Sequence, residues 1–94
     1  MPIIRRWNTM AFVRENIRRI STAPGVYVLL ARNNYPIYVG SAENLRTRLL
    51  QHQRSGDIPA SKFRAIQTLT MQDAIDVELD LIQELEPRYN MLGR

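Results

Sequence analysis

Met10, Val13, Ile17 and Ile20 recur at intervals of three and four, the spacing of one helix face. Arg14, Glu15, Arg18 and Arg19 fall on the other side, so the segment predicts an amphipathic helix that Asn8 or Thr9 would cap. Pro24 and Gly25 end that pattern, and the period then changes to two. In "GVYVLLARNNYPIYVG", residues 25–40, Val26, Val28 and Leu30 alternate with Tyr27, Leu29 and Ala31. A polar turn over residues 32–35 leads into Ile37, Tyr38 and Val39, with Pro36 at the strand start, where a missing N–H does least harm. The stretch predicts a β-hairpin. A turn centred on Asn33 and Asn34 sets Tyr38 opposite Leu29 and Gly40 opposite Tyr27. Tyr27 and Tyr38 then form a diagonal pair on one face, and Val26, Val28, Leu30, Ile37 and Val39 take the other.

The next segment, "GSAENLRTRLLQHQ", opens a helix with Ser41 as its expected N-cap and Leu45 and Leu49 as anchors. Arg48 and His52 stand four apart and share one side of it. "RSGDIPAS" is expected to be a loop, and "KFRAIQTLT" a third strand with Phe63, Ala65 and Gln67 alternating against Arg64, Ile66 and Thr68. "TMQD" has the form of a capping box before a periodic helix over about residues 72–85, which Pro87 stops.

Composition narrows the class. The 94 residues suit one small domain, and a hydrophobic share of 45% argues against wholesale disorder. Cysteine is absent, so neither disulfides nor a thiolate zinc site is available, and the cytosol is the expected location. No apolar run approaches the roughly 20 residues that span a bilayer, and the start has no apolar core of signal-peptide length. The net charge of +4 is uneven: residues 1–70 balance at +8 and residues 71–94 at −4. Such polarity fits either an anionic partner, nucleic acid first among them, or a solvated basic surface.

The last helix carries a misplaced carboxylate. At about 100° per residue, Ala74, Ile75, Val77, Leu81, Ile82 and Leu85 all fall on the side of Glu78, while Asp73, Asp76, Asp80 and Glu84 gather opposite. An ionised carboxylate in an apolar stripe is costly unless it is paired, hydrogen-bonded or bound to a cation. It predicts a buried ion pair with an arginine, a stripe edge open to a cleft, or a functional group. The other candidates have plainer explanations when taken singly. Strand tyrosines usually pack, Arg48 alone is a surface arginine, and Asn90 after "PRY" suits a turn. His52 has no second ligand at metal spacing, which argues against a histidine-zinc site.

Taken together, these residues resemble the GIY-YIG nuclease family. "GVY" at 25–27 and "YVG" at 38–40 are similar to its two signature tripeptides, with valine for isoleucine in each. "SAENLRTRLLQH" resembles its first long helix, with Arg48 ten residues after the second tyrosine and His52 four later. "VELDLIQELEPRYN" resembles its closing segment, with Glu78, Pro87 and, twelve residues after the glutamate, Asn90. The resemblance runs over residues 24 to 91. It implies an α+β fold: a three-stranded antiparallel sheet flanked by helices over residues 23–94, preceded here by a basic helical extension over residues 1–22.

The implied chemistry is metal-dependent hydrolysis of a DNA phosphodiester. Glu78 would hold one Mg²⁺ or Mn²⁺, which supplies the partner its place in the stripe lacks. Arg48 would neutralise the scissile phosphate. Tyr27 would activate the attacking water, and a phenol with a pKa of about 10 needs nearby positive charge or a relay to His52 to do so. Tyr38 would orient water or phosphate, Asn90 would tie the C-terminal segment to the site, and the tripeptide glycines would keep the backbone clear of the substrate. The excision-repair type carries lysine where this chain has Ser41, so one phosphate contact is either absent or supplied by Arg46. His52 matches restriction-type and homing-type members rather than those with tyrosine there.

A chain of this length leaves no room for a separate DNA-recognition domain. The basic extension, with Arg5, Arg6, Arg14, Arg18 and Arg19, either adds DNA contacts or simply covers the sheet. Sequence specificity is then expected only from a partner protein or a further domain, and double-strand cleavage from a homodimer or two binding events. The competing expectation, a nonenzymatic nucleic-acid-binding module on a degenerate nuclease scaffold, requires loss of catalytic side chains, and all six are present. The chain is either a standalone nuclease or the catalytic domain of a longer one.

Overall fold

Six successive residues of one strand, Gly25–Leu30, are all buried, which demands a central strand covered on both faces. A computed structural model describes residues 7–91 and shows how that cover is built. In chain order the elements are β1 (Met10–Ala11), α1 (Arg14–Ile17), β2 (Gly25–Leu30), β3 (Pro36–Ala42), α2 (Leu45–Ser55), β4 (Lys62–Gln67), α3 (Met71–Leu85) and α4 (Arg88–Met91). The strands form one antiparallel sheet in the order β1-β4-β2-β3. On one face Tyr27, Leu29, Ile37 and Phe63 pack with Ile17 of α1, Leu45 and Leu49 of α2, and Ile58. On the other, Val26, Val28, Leu30 and Val39 pack with Trp7 and with Ala74 and Leu81 of α3. The result is three layers with the sheet in the middle. No helix among the described residues is long and apolar enough to cross a membrane.

The hairpin has the expected register, with Tyr27 opposite Gly40 and Leu29 opposite Tyr38. Asn34 takes the left-handed conformation at φ 69°, which asparagine tolerates, and the Asn33 side chain accepts from the Tyr35 N–H at 3.1 Å. Ile37 departs from expectation. The pairing steps from Leu29–Tyr38 to Leu30–Pro36, so Ile37 is the extra residue of a bulge. That shift turns it onto the Tyr27 face, away from Val39.

The sheet has four strands where three were expected, and the difference lies in the N-terminal segment. Met10 and Ala11 pair with Phe63 and Lys62 as a short strand, and only Arg14–Ile17 is helical. Val13 is extended at φ −127° and ψ 154°, which prevents one continuous helix. Pairing with β4 satisfies an edge that would otherwise expose unpaired backbone groups, while Ile17 remains fully buried. Arg5 and Arg6 of the expected extension lie outside the described residues.

Ser41 does not cap α2. It is still in β3, paired with Val26, and Asn44 caps the helix by accepting from the Thr47 N–H at 3.0 Å. The start of α3 is as expected, with the Thr70 hydroxyl accepting from the Asp73 N–H at 3.1 Å. Its end is set by Glu86 in the left-handed conformation at φ 46°, followed by buried Pro87.

Gly40 makes room for a side chain: a Cβ there would overlap the Tyr27 phenol. Gly40→Ala is therefore expected to cost about 1–3 kcal/mol of stability through overpacking. A thermal melt should register that as a fall of several degrees, and an unchanged midpoint would show that the ring moves aside freely.

Candidate active site

Tyr27 projects from the central strand towards α2, and its ring lies between Tyr38 and His52. The ring centroids are 6.2 Å apart for Tyr27 and Tyr38, 5.5 Å for Tyr27 and His52, and 5.5 Å for Tyr38 and His52. His52 sits in the last turn of α2, three residues beyond Leu49, so the apolar anchoring of that helix carries the imidazole into the core. Its Nε2 is 2.8 Å from the Tyr27 hydroxyl. Its Nδ1 is 3.0 and 3.1 Å from the two carboxylate oxygens of Asp57.

The protonation pattern along this chain is self-consistent. Burial drives the Tyr27 phenol well above its ordinary value of 10.0; Tyr38 and Glu78 add to the rise and Arg48 opposes it. Tyr27 therefore keeps its proton. Partial burial pushes Asp57 up, but hydrogen bonds to His52 and Ser55 outweigh it and hold the carboxyl below its ordinary range. An ionised Asp57 only accepts, so Nδ1 carries the ring proton and donates to it. In the neutral ring Nε2 is then free to accept from the Tyr27 hydroxyl.

Glu78 stands half-buried on the sheet-facing side of α3, between Ala74 and Leu81. Its partner among the described residues is a hydroxyl, not an arginine: Ser41 Oγ donates to Oε1 at 2.5 Å. Ser41 follows Val39 by two residues, so it shares the α3 face of β3, and Tyr38 shares the α2 face. The phenol of Tyr27 feels both Arg48 and Glu78, so the two half-sites lie within electrostatic reach of each other. A cleft of about 360 Å³ opens where β3 runs into α2, lined by Ser41, Asn44, Thr47 and Arg48 with Met71 of α3. Asn90 clamps the edge strand here. Its Oδ1 accepts from the Val39 N–H at 2.8 Å and its Nδ2 donates to the Val39 carbonyl at 2.9 Å, as a further strand would.

Among the described residues no cluster of three or more carboxylate or imidazole ligands exists. Glu43 lines the cleft, and Glu78 reaches it through its bond to the lining Ser41; such carboxylates still suit Mg²⁺, which keeps several waters and takes one or two carboxylates together with substrate phosphate oxygens.

Of the residues singled out from the sequence, Tyr27, Tyr38 and His52 form one ring cluster, and Ser41 and Glu78 are bonded partners. Arg48 lines the cleft, and Asn90 holds the strand that carries Tyr38. Arg46 gives its Nε to the Ile20 carbonyl at 2.9 Å, a contact that ties α2 to the segment after α1. Arg18 and Arg19 are exposed at the end of α1. Asp57 was missed, because its segment reads as loop. The only signal was "SGD" directly after the helix, a glycine that reverses the chain with a carboxylate behind it.

The chain has similar counterparts among known proteins. UvrABC system protein C of Aquifex aeolicus is 41% identical over 92 residues, covering 87% of this chain and 16% of that protein. The same-named protein of Caldicellulosiruptor saccharolyticus is 36% identical over 94 residues, covering 90% of this chain and 16% of its own length. The chain thus spans a small part of these curated relatives. Among solved structures, the GIY-YIG N-terminal endonuclease domain of UvrC from Thermotoga maritima, bound to its catalytic magnesium, superposes with a TM-score of 0.72 at 29% identity. That match covers 83% of this chain and 94% of the Thermotoga domain. The family model for the UvrC-like GIY-YIG domain matches residues 23–91, and the chain belongs to that family.

Proposed function

We propose that the chain is a metal-dependent endonuclease that hydrolyses DNA phosphodiester bonds one strand at a time. The observation that carries this reading is the 2.8 Å bond between a buried, protonated phenol and His52, with a carboxylate in the apolar face of α3 whose charge acts on that phenol. Arg48 neutralises the phosphate at the mouth of the cleft, where a planar donor fork suits its oxygens. The attacking water gives its proton to the Tyr27 oxygen as Tyr27 passes its own to His52 Nε2, so Tyr27 stays neutral and His52 becomes the cation. Water adds to phosphorus, the bond to the leaving oxygen breaks, and that oxygen takes a proton from solvent. Tyr38 orients the water or phosphate, and Asn90 keeps β3 fixed beneath it. Glu78 would hold a divalent cation, Mg²⁺ or Mn²⁺, whose chemistry is Lewis-acid stabilisation of charge on the phosphate and leaving oxygens.

The likeness to UvrABC system protein C favours incision of the DNA-repair kind and a cytosolic setting. Recognition of the lesion or sequence would come from a partner protein or a further domain, and a double-strand break would need a homodimer or two binding events. The test is a nicking assay on supercoiled plasmid. Relaxed circles are expected with Mg²⁺ and none with a chelator. DNA binding without cleavage in Mg²⁺ or Mn²⁺ would favour the nonenzymatic binding module instead.

A further inference from the structure

We propose that Asp57 is a positioning residue for this reaction: it fixes the His52 imidazole with its proton on Nδ1, so that Nε2 is the atom that receives the proton from Tyr27. The proposal rests on the nuclease reading above and adds to it a residue outside the family's signature positions.

Several features locate the Asp57 carboxylate independently of one another. Gly56 caps α2 in the left-handed conformation at φ 63°, which turns the chain back over the last turn. A Cβ on Gly56 would meet nothing within 4 Å, so the glycine serves the backbone turn and not packing. Ser55 Oγ donates to Asp57 Oδ1 at 2.9 Å, and the Asp57 N–H returns to Ser55 Oγ at 3.3 Å. Ile58 on the other side is anchored in the core with Leu45 and Leu49. Asp57 is thus held between a turn and a buried anchor.

Its position is unfavourable for the helix alone. A carboxylate beside the C-terminal end of a helix faces the negative end of the helix dipole. Its contacts offset that cost: both oxygens face Nδ1 of the buried imidazole. The consequence is tautomeric. Without an acceptor at Nδ1, the ring proton can reside on Nε2 and point at the Tyr27 oxygen. Nε2 then has no lone pair to offer, and Tyr27 cannot discharge the proton it takes from water. With Asp57 in place Nε2 is the acceptor, and the imidazolium formed after transfer is paired with a carboxylate.

His52 is the only histidine in the chain, so nitrogen NMR reports its tautomer without ambiguity. Long-range proton–nitrogen spectra at mildly alkaline pH are expected to show Nδ1–H in the wild type. In Asp57→Ala the proton should move to Nε2, kcat for plasmid nicking should fall by about 10–100-fold, as for loss of an orienting carboxylate, and KM for DNA should stay within about twofold. Asp57 is half-exposed on a loop, so the variant should fold, and near-wild-type spectra for the other residues would verify that. An Nε2–H tautomer in the wild type, or Asp57→Ala nicking at the wild-type rate, overturns the proposal. A wild type that shows Nδ1–H yet never cuts DNA overturns the nuclease reading, and with it the catalytic role of Asp57. The two failures are distinguishable because the tautomer is read without DNA.

Discussion

Glu78→Ala should abolish Mg²⁺-dependent nicking while leaving the protein as stable as before, or more so. Glu78 follows Ala74 by four positions and precedes Leu81 by three, and both neighbours are buried against the sheet. A half-buried carboxylate there sits where α3 would gain from an apolar residue, and its polar contact among the described residues is one hydroxyl, Ser41. Alanine removes the desolvation cost and has the highest helix propensity. The cation, by contrast, loses the protein ligand assigned to it. Charge stabilisation by a bound metal is worth several kcal/mol, so the rate should fall on the order of 10³-fold or more. Glu78→Gln refines the test, because its side-chain oxygen still accepts from Ser41 while the charge is gone. Both variants should be inactive and should melt no lower than the wild type. Nicking that survives in Mg²⁺ would remove Glu78 from the metal site. A midpoint lowered by roughly 10 °C would mean that the Ser41–Glu78 bond holds α3 on the sheet and serves the fold first.

The misplacement of Glu78 was legible because it violates a local rule, and the helical wheel needs no tertiary knowledge to show it. Its partner was not legible. Ser41 looked like a helix cap because serine before a leucine-rich run usually is one, yet Asn44 serves that purpose and leaves Ser41 on the strand. The hairpin register could be derived since alternation and an asparagine turn constrain each other. Ile37 escaped because Pro36 and the bulge displace the pairing by one residue, which turns a side chain to the opposite face. Met10 and Ala11 escaped for another reason: two residues carry no period, and their strand exists only through β4, some fifty positions away. Asp57 belongs to the same class, since a carboxylate in a loop is informative only once His52 is seen above it.

Tyr27→Phe is expected to lower nicking by about 10²- to 10⁴-fold, the range for loss of a general acid–base group, with DNA affinity little changed. The phenyl ring still fills the space over Gly40 and packs against Tyr38 and His52, so the fold should survive. His52 Nε2 loses its partner at a cost of about 1–3 kcal/mol, which a melt should detect. The variant also separates two mechanisms. A phenolate base would need a lowered pKa, yet burial, Tyr38 and Glu78 all raise it and Arg48 alone opposes them. A relay needs the protonated phenol that this environment favours. Tyr27 and His52 then act in one step, and removing either should cost about as much as removing both. The double variant Tyr27→Phe with His52→Ala should therefore be only slightly slower than the slower single variant. Losses that multiply would mean that the two side chains act at separate steps, and the 2.8 Å bond between them would be a packing contact rather than the path of the proton.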